Sequence, residues 1–204
     1  MEDKMDIPLQ DIKPTYPGPD HEAAEKQSIQ FVIDKLGLQV HPEGGYFVET
    51  DYHPLRIPNP YQSQAEKEAG IESTRAASTT IYYYLTPREP MGAFHSNKSR
   101  TVHTWHRGRG RYVLLHLAEG DPDQSITANK PRVSIETFVV GPNLERGERM
   151  QWIVPGGNHY KASFLLPDSP EDDGYGPNDG QNGATSTEGL LISEVRMRNP
   201  GFCG

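Results

Sequence analysis

Cysteine is nearly absent from this 204-residue chain: the one thiol is Cys203, next to the last residue. A single cysteine closes no internal disulfide, so nothing points to an oxidising compartment. Cys203 also sits in what reads as a frayed tail, which argues against a nucleophile there. Long apolar runs are missing too. No stretch approaches the roughly 18 residues that cross a bilayer, and the opening MEDKMDIPLQ lacks the apolar stretch of a signal peptide. The expected setting is the cytoplasm, with no membrane partner. Basic charge is in short supply: 20 Lys and Arg stand against 28 Asp and Glu, for a formal net charge of −8. Such a chain binds phosphate backbones poorly, so no nucleic-acid partner is expected. Its one basic run, 107–111, alternates arginine with glycine and reads as a solvated hairpin turn.

What is abundant is punctuation. With 20 glycines and 18 prolines, the chain calls for many turns between short strands. Residues 1–19 are polar and interrupted by proline, and read as a disordered or loosely attached arm. One N-terminal helix follows. Asp20 is placed to cap it, Ile29, Val32, Ile33 and Leu36 form its apolar stripe, and Gly37 ends it in a left-handed conformation. Strands are expected at 45–52, 79–85, 101–105, 112–117, 133–140, 149–154, 162–166 and 190–197. Residues 53–74 form an excursion with a helical turn, and the acidic, Gly- and Asn-rich stretch 167–189 reads as a flexible surface loop. The spacing defines one domain over 20–204, all-β, either a sandwich or a barrel.

Five strings in order sharpen this: HPEGGYFVET at 41–50, RAASTTIYYYLTP at 75–87, FHSNKSRTVHTWHRGRGRYVLL at 94–115, GERMQWIVPGGNHYKASFLL at 147–166 and LISEVRMRNPGF at 191–202. Together they resemble a branch of the cupin superfamily known as a domain of unknown function, cupin-5, and within it the yeast-type fungal members. The resemblance implies a double-stranded β-helix, the cupin jelly-roll barrel, with the N-terminal helix outside it. It also implies a small-molecule ligand in the barrel mouth and a homodimer formed through the sheets. Family members run on after PGF with further aromatic and acidic residues, where this chain has Cys203 and Gly204.

Most enzymatic cupins hold a divalent metal with histidines and a glutamate, ligands suited to Mn, Fe, Ni or Zn. With the glycine of the first motif set on Gly108, His95 takes the first histidine position, Asn97 the second, and Thr101 the place of the glutamate. Two of the three ligands in that motif are therefore replaced by poor donors. His103 lies two residues beyond Thr101 and shares its strand face, and His159 follows the PGG turn one residue before the usual histidine position. His95, His103 and His159 are thus an off-pattern metal set.

Acid–base chemistry without a metal is the alternative. His95 or His103 would be the base and Tyr46, Tyr82 or Tyr83 the acid, with Glu49 or Arg75 to orient the pair or hold an anionic group. Tyr46, Arg75, Lys98, Trp105 and Gln151 are the candidate ligand-binding residues: a second tyrosine, two cations that either pair or hold an anion, an aromatic floor, and a polar residue beside Trp152. Alternation groups Tyr83 with Ile81 and Leu85, the apolar set. Three readings stand side by side. The first is a proton-transfer enzyme of isomerase, epimerase, cyclase or lyase type acting on a polar or carbonyl-bearing metabolite. The second is a metal-dependent oxygenase or decarboxylase. The third is a non-catalytic binder of a small ligand.

Overall fold

A computed structural model describes residues 2–19, 24–70, 73–117, 133–168 and 187–197. Helix α1 (Gln27–Leu36) buries Ile29 and Ile33, with Val32 and Leu36 packed alongside, and stops at Gly37, whose φ of 67° is left-handed. It starts later than the sequence suggests. Lys26 stands at the N-cap without a side-chain cap, and Asp20 lies outside the described residues.

Among the described residues twelve strands follow: β1 (Gln39–Val40), β2 (Tyr46–Tyr52), β3 (Arg56–Pro58), β4 (Thr74–Ala76), β5 (Ser78–Leu85), β6 (Met91–Ser96), β7 (Thr101–Arg107), β8 (Arg109–Leu117), β9 (Val133–Val140), β10 (Gln151–Val154), β11 (His159–Leu166) and β12 (Leu190–Met197). They form a six-stranded sheet in the order β1-β2-β5-β12-β7-β10, a four-stranded sheet β6-β11-β8-β9, and the small pair β3-β4. The pairings are antiparallel, as a jelly roll requires. The excursion holds β3, β4 and the short helix α2 (Gln64–Glu68), which Ser63 and Glu66 close with a reciprocal capping box. Strand β6 escapes a reading by propensity because it carries Gly92 and Ala93. Glycine is required at 92, since a Cβ there would meet the Tyr83 hydroxyl at 2.6 Å and Ser163 Oγ at 2.7 Å.

The main core lies between the two large sheets and joins Tyr83, Leu85, Tyr112, Leu114, Phe138, Trp152, Leu165 and Ile192. A second cluster covers the outer face of the six-stranded sheet, where α1 packs on Tyr46 and Tyr84. Alternation along β5 therefore runs as expected, with Tyr83 inside and Tyr84 under the helix.

Two expectations are corrected. The basic run is not a solvated turn. Strand β8 starts at Arg109, and Gly108 (φ 75°) alone links strands of opposing sheets. Arg109 and Arg111 are buried. Arg109 gives Nε and Nη2 to Glu148 Oε1, each at 2.8 Å, and Nη1 to the Pro167 carbonyl at 2.9 Å. Arg111 Nη1 meets both Asp6 oxygens at 2.6 and 2.7 Å. Arginine is tolerated inside because its donors are met by carboxylates that arrive from elsewhere in the chain.

Nor is the N-terminal segment loosely attached. Lys4 pairs in parallel with Glu136 on β9, exchanging backbone bonds of 2.8 and 2.9 Å with Ile135 and Thr137, and Tyr16 is buried in the main core. The segment thereby covers the edge of the four-stranded sheet. Of the acidic loop, 169–186 lie outside the described residues; at its ends Asp168 accepts from the Thr187 hydroxyl at 3.1 Å and the Glu188 N–H at 2.9 Å.

Candidate active site

The register of the strands places four chemically active side chains in one end of the barrel. Lys161 on β11 stands opposite His95 on β6, and Glu194 on β12 stands opposite His103 on β7. Cross-strand partners project to the same face. Lys161, His95 and Glu194, with His41, Glu43, Tyr83 and Arg196, border a small cavity of about 20 Å³ that is partly open to solvent, while His103 is fully buried against Lys161 and Glu194.

At its floor lies a buried ionic cluster. Lys161 Nζ is 2.5 Å from Glu194 Oε1 and 2.8 Å from His103 Nε2, and His103 Nε2 is 3.3 Å from the same carboxylate oxygen. His103 is fully buried, stacked on Trp152 at a centroid distance of 5.1 Å and met edge-on by Tyr112. Burial, then the Lys161 charge, pushes the His103 pKa down to about 4. Burial also lowers the Lys161 pKa, against the opposing pull of Glu194. Burial would raise the Glu194 carboxyl, yet the Lys161 and His103 contacts hold it well below the ordinary range. The consistent assignment is an ammonium, a carboxylate and a neutral imidazole whose Nε2 accepts from the ammonium. His103 Nδ1 is buried without a hydrogen-bond partner among the described residues, as is Trp152 Nε1 stacked on it.

At the rim, His95 Nδ1 lies 2.8 Å from the Ala93 carbonyl and 3.2 Å from Glu43 Oε2. Both partners are acceptors, so Nδ1 carries the proton and Nε2 presents a lone pair. His41 Nδ1 accepts from the Glu43 N–H at 3.1 Å, which places its proton on Nε2. Burial lowers its pKa, with Glu43 pulling the other way. The two glycines of HPEGGY make this loop possible: both have positive φ, and a Cβ on Gly44 would stand 2.1 Å from the Met91 carbonyl oxygen. The Tyr83 hydroxyl donates to the Gly44 carbonyl at 2.9 Å, and burial drives its pKa strongly upward, so it stays protonated.

Among the residues singled out from the sequence, His95, His103 and Tyr83 come together here. The others stand apart. Glu49 is exposed on β2. Tyr46 is buried beneath α1, on the far side of the sheet. Arg75 stacks on Tyr61 in the excursion at 5.3 Å, and Lys98 is exposed between β6 and β7. Gln151 is exposed on the edge strand β10, its amide 3.4 Å from Thr104 Oγ1. Trp105 packs against the core and donates to the Gly108 carbonyl at 2.7 Å, without bordering the cavity.

His159 shares the face of Lys161 but stands two residues back along β11, about 7 Å away. There its Nδ1 is 2.7 Å from His116 Nδ1, and His116 Nε2 is 3.3 Å from Glu136. The set His95, His103, His159 is therefore not assembled, and no cluster of three or more His, Cys, Asp or Glu fit to hold a metal occurs among the described residues. The donors nearest to a cupin-like set, His103 Nε2 and Glu194 Oε1, are both engaged by the Lys161 ammonium. A divalent ion placed there would meet a positive charge, so these residues do not fit one.

Lys161, Glu194, His41, Glu43 and Arg196 were not singled out from the sequence. The signal was alternation: Lys161 has the parity of the core residue Leu165, and Glu194 and Arg196 that of Ile192. A charge on the apolar parity of a strand marks an interior charge.

An antiparallel jelly roll with a polar, ion-paired cavity in one end defines a cupin. The chain belongs to the cupin superfamily: the family described as "Cupin superfamily (DUF985)" matches residues 30–203. A relative in Saccharomyces cerevisiae, the uncharacterized protein YML079W, is 39% identical over 181 residues, 86% of this chain and 71% of the relative. A hypothetical protein from Leishmania major is similar in structure, with a TM-score of 0.55 and 27% identity, covering 82% of this chain and 80% of that one. Protein SO0799 from Shewanella oneidensis shares the fold at a TM-score of 0.52 and 18% identity, over 85% and 80% of the two chains. Among the described residues no helix is long and apolar enough to cross a membrane.

Proposed function

We propose that this protein is a small-molecule cupin enzyme that moves a proton at a carbon next to a carbonyl, in an isomerisation or epimerisation. The reading rests on the tautomer of His95: with Nδ1 held by two acceptors, Nε2 is a base at the cavity rim. Glu43 orients the ring and stabilises the imidazolium that forms, as a carboxylate does behind a catalytic histidine. The substrate carbonyl oxygen points to the Lys161 ammonium. His95 Nε2 takes the proton from the adjacent carbon, the C–H electrons pass into the carbonyl, and Lys161 stabilises the enolate oxygen. The imidazolium then returns the proton to that carbon, giving the epimer when it arrives on the opposite face, or, where that carbon bears a hydroxyl, to the former carbonyl carbon while the hydroxyl proton passes to the enolate oxygen and the hydroxyl-bearing carbon becomes the carbonyl. No oxidant or second reactant is needed. Tyr83 positions the Gly44 turn and stays neutral throughout.

The test is hydrogen exchange in D2O, followed by proton NMR, with aldoses, ketoses and oxo acids as substrates. At least one carbonyl compound should take up deuterium beside its carbonyl. His95→Ala should slow this by about 100-fold or more, the usual contribution of a positioned base, and Lys161→Met by a comparable factor with the fold retained by circular dichroism. Exchange unchanged in His95→Ala, or no exchange by the native protein with any of these compounds, would overturn the reading.

A further inference from the structure

We infer that Arg196 is the anchor for an acid group on the ligand, so that the cavity takes small oxo acids rather than neutral sugars or aldehydes. This deepens the proton-transfer reading and takes from it the place where the carbonyl lies.

Four fixed charges border the cavity: Glu43, Lys161, Glu194 and Arg196. Three are already committed within the protein. Glu43 holds His95, while Glu194 and Lys161 hold each other and His103. Arg196 is different. It is half-buried and borders the same cavity, and among the described residues its guanidinium has no carboxylate or carbonyl partner. It is close enough for its charge to oppose protonation of Lys161. A half-buried guanidinium held near another cation is costly unless an anion offsets it. Elsewhere in this chain the arginines of β8 are given such anions, Glu148 and Asp6.

The position also suits a two-point grip. Arg196 lies two residues beyond Glu194 on β12, so both project to one face about 7 Å apart along the strand. Lys161 rests on Glu194. A ligand whose acid group sits on Arg196 thus brings a carbonyl a few bonds away to Lys161 and the His95 base. Arginine favours a carboxylate because its planar fork meets both oxygens at once. One uncommitted guanidinium matches the single charge of a carboxylate better than a phosphate dianion.

Calorimetric titration of the full chain with 2-oxobutanoate and 4-oxopentanoate, and with the amide of each, tests this. At least one acid should bind at least tenfold tighter than its amide. Arg196→Gln should weaken that acid by about ten- to a hundredfold, the range for a charge-assisted hydrogen bond, and leave the amide unchanged. Arg196→Lys should recover part of the loss. Acid and amide binding the native protein equally, an acid unaffected by Arg196→Gln, or no binding by either acid would each overturn the inference. Inorganic phosphate titrated in parallel separates the two anions: phosphate binding tighter than both acids overturns the carboxylate assignment. The two proposals fail separately. Acid binding that depends on Arg196 without deuterium uptake removes the chemistry and keeps the anchor; uptake that ignores Arg196 does the reverse.

Discussion

Among the described residues, Arg109–Glu148 and Lys161–Glu194 are ion pairs buried on both sides, and they are built differently. Arg109 and Glu148 close on themselves: the guanidinium is divided between the carboxylate and the Pro167 carbonyl, and the second carboxylate oxygen accepts the Asn143 N–H at 3.0 Å. Lys161 and Glu194 form the other pair. They face a cavity, share a neutral histidine, and leave one imidazole nitrogen without a partner. A saturated pair ties loops to a sheet. A pair with unused capacity beside a cavity is where a ligand can be met. Burial and charge are the same in both, so the difference is the count of satisfied hydrogen-bonding groups.

That contrast predicts opposite responses to substitution. The largest loss is expected for Glu148→Leu, which strands the Arg109 charge and the Asn143 amide. Urea unfolding should show about 3–5 kcal/mol lost, with ligand binding unchanged in whatever fraction stays folded. If stability holds, the saturated pair has no structural role.

The next effect is in pH. A histidine whose pKa is 6.5 unfolded and about 4 folded binds its proton first in the unfolded chain. Stability is therefore full above pH 6.5 and declines as pH falls towards 4, by roughly 3 kcal/mol from this group. Urea midpoints measured from pH 7 to 4 should show the decline, and His103→Phe should flatten it over that window. A slope that survives in His103→Phe belongs to other groups.

A smaller cost is expected when the cavity pair is removed as a unit. The double variant Lys161→Met, Glu194→Met should lose about 1–2 kcal/mol, from the His103 nitrogen left behind, while deuterium uptake disappears. A loss as large as that of Glu148→Leu would erase the distinction between the two pairs. Smallest of all, Glu49→Ala, Lys98→Ala and Gln151→Ala should shift stability by no more than about 0.5 kcal/mol and leave exchange intact, since all three side chains are exposed.

Much of the fold was legible. The TTIYYYL and LLISEV strings show their strands through β-branched and aromatic residues, and Gly37 shows the end of α1 because few residues accept that conformation. Strand β6 was hidden by its glycine, which serves the packing of Tyr83 rather than local propensity. The site was legible only in part. His95 and His103 stand out as histidines on one strand parity. Arg75 and Lys98 stand out equally as charges, yet they belong to the excursion and to a turn. Nothing local says that Arg109 waits for a carboxylate 39 residues on, or Arg111 for one 105 residues back.

By itself the sequence determined the cupin family, most of the strands, and how each strand's residues divide between two faces, because alternation with period two is a local property of the backbone. Which inward charges meet was decided by the tertiary structure. The pairing of β11 with β6 and of β12 with β7 brings Lys161, Glu194 and His95 to one cavity and sets His103 against the Lys161–Glu194 pair. His159, on the same face but one pleat repeat away, is left to His116. Register between distant strands follows from packing the whole core, and one repeat separates a residue of the site from a residue outside it.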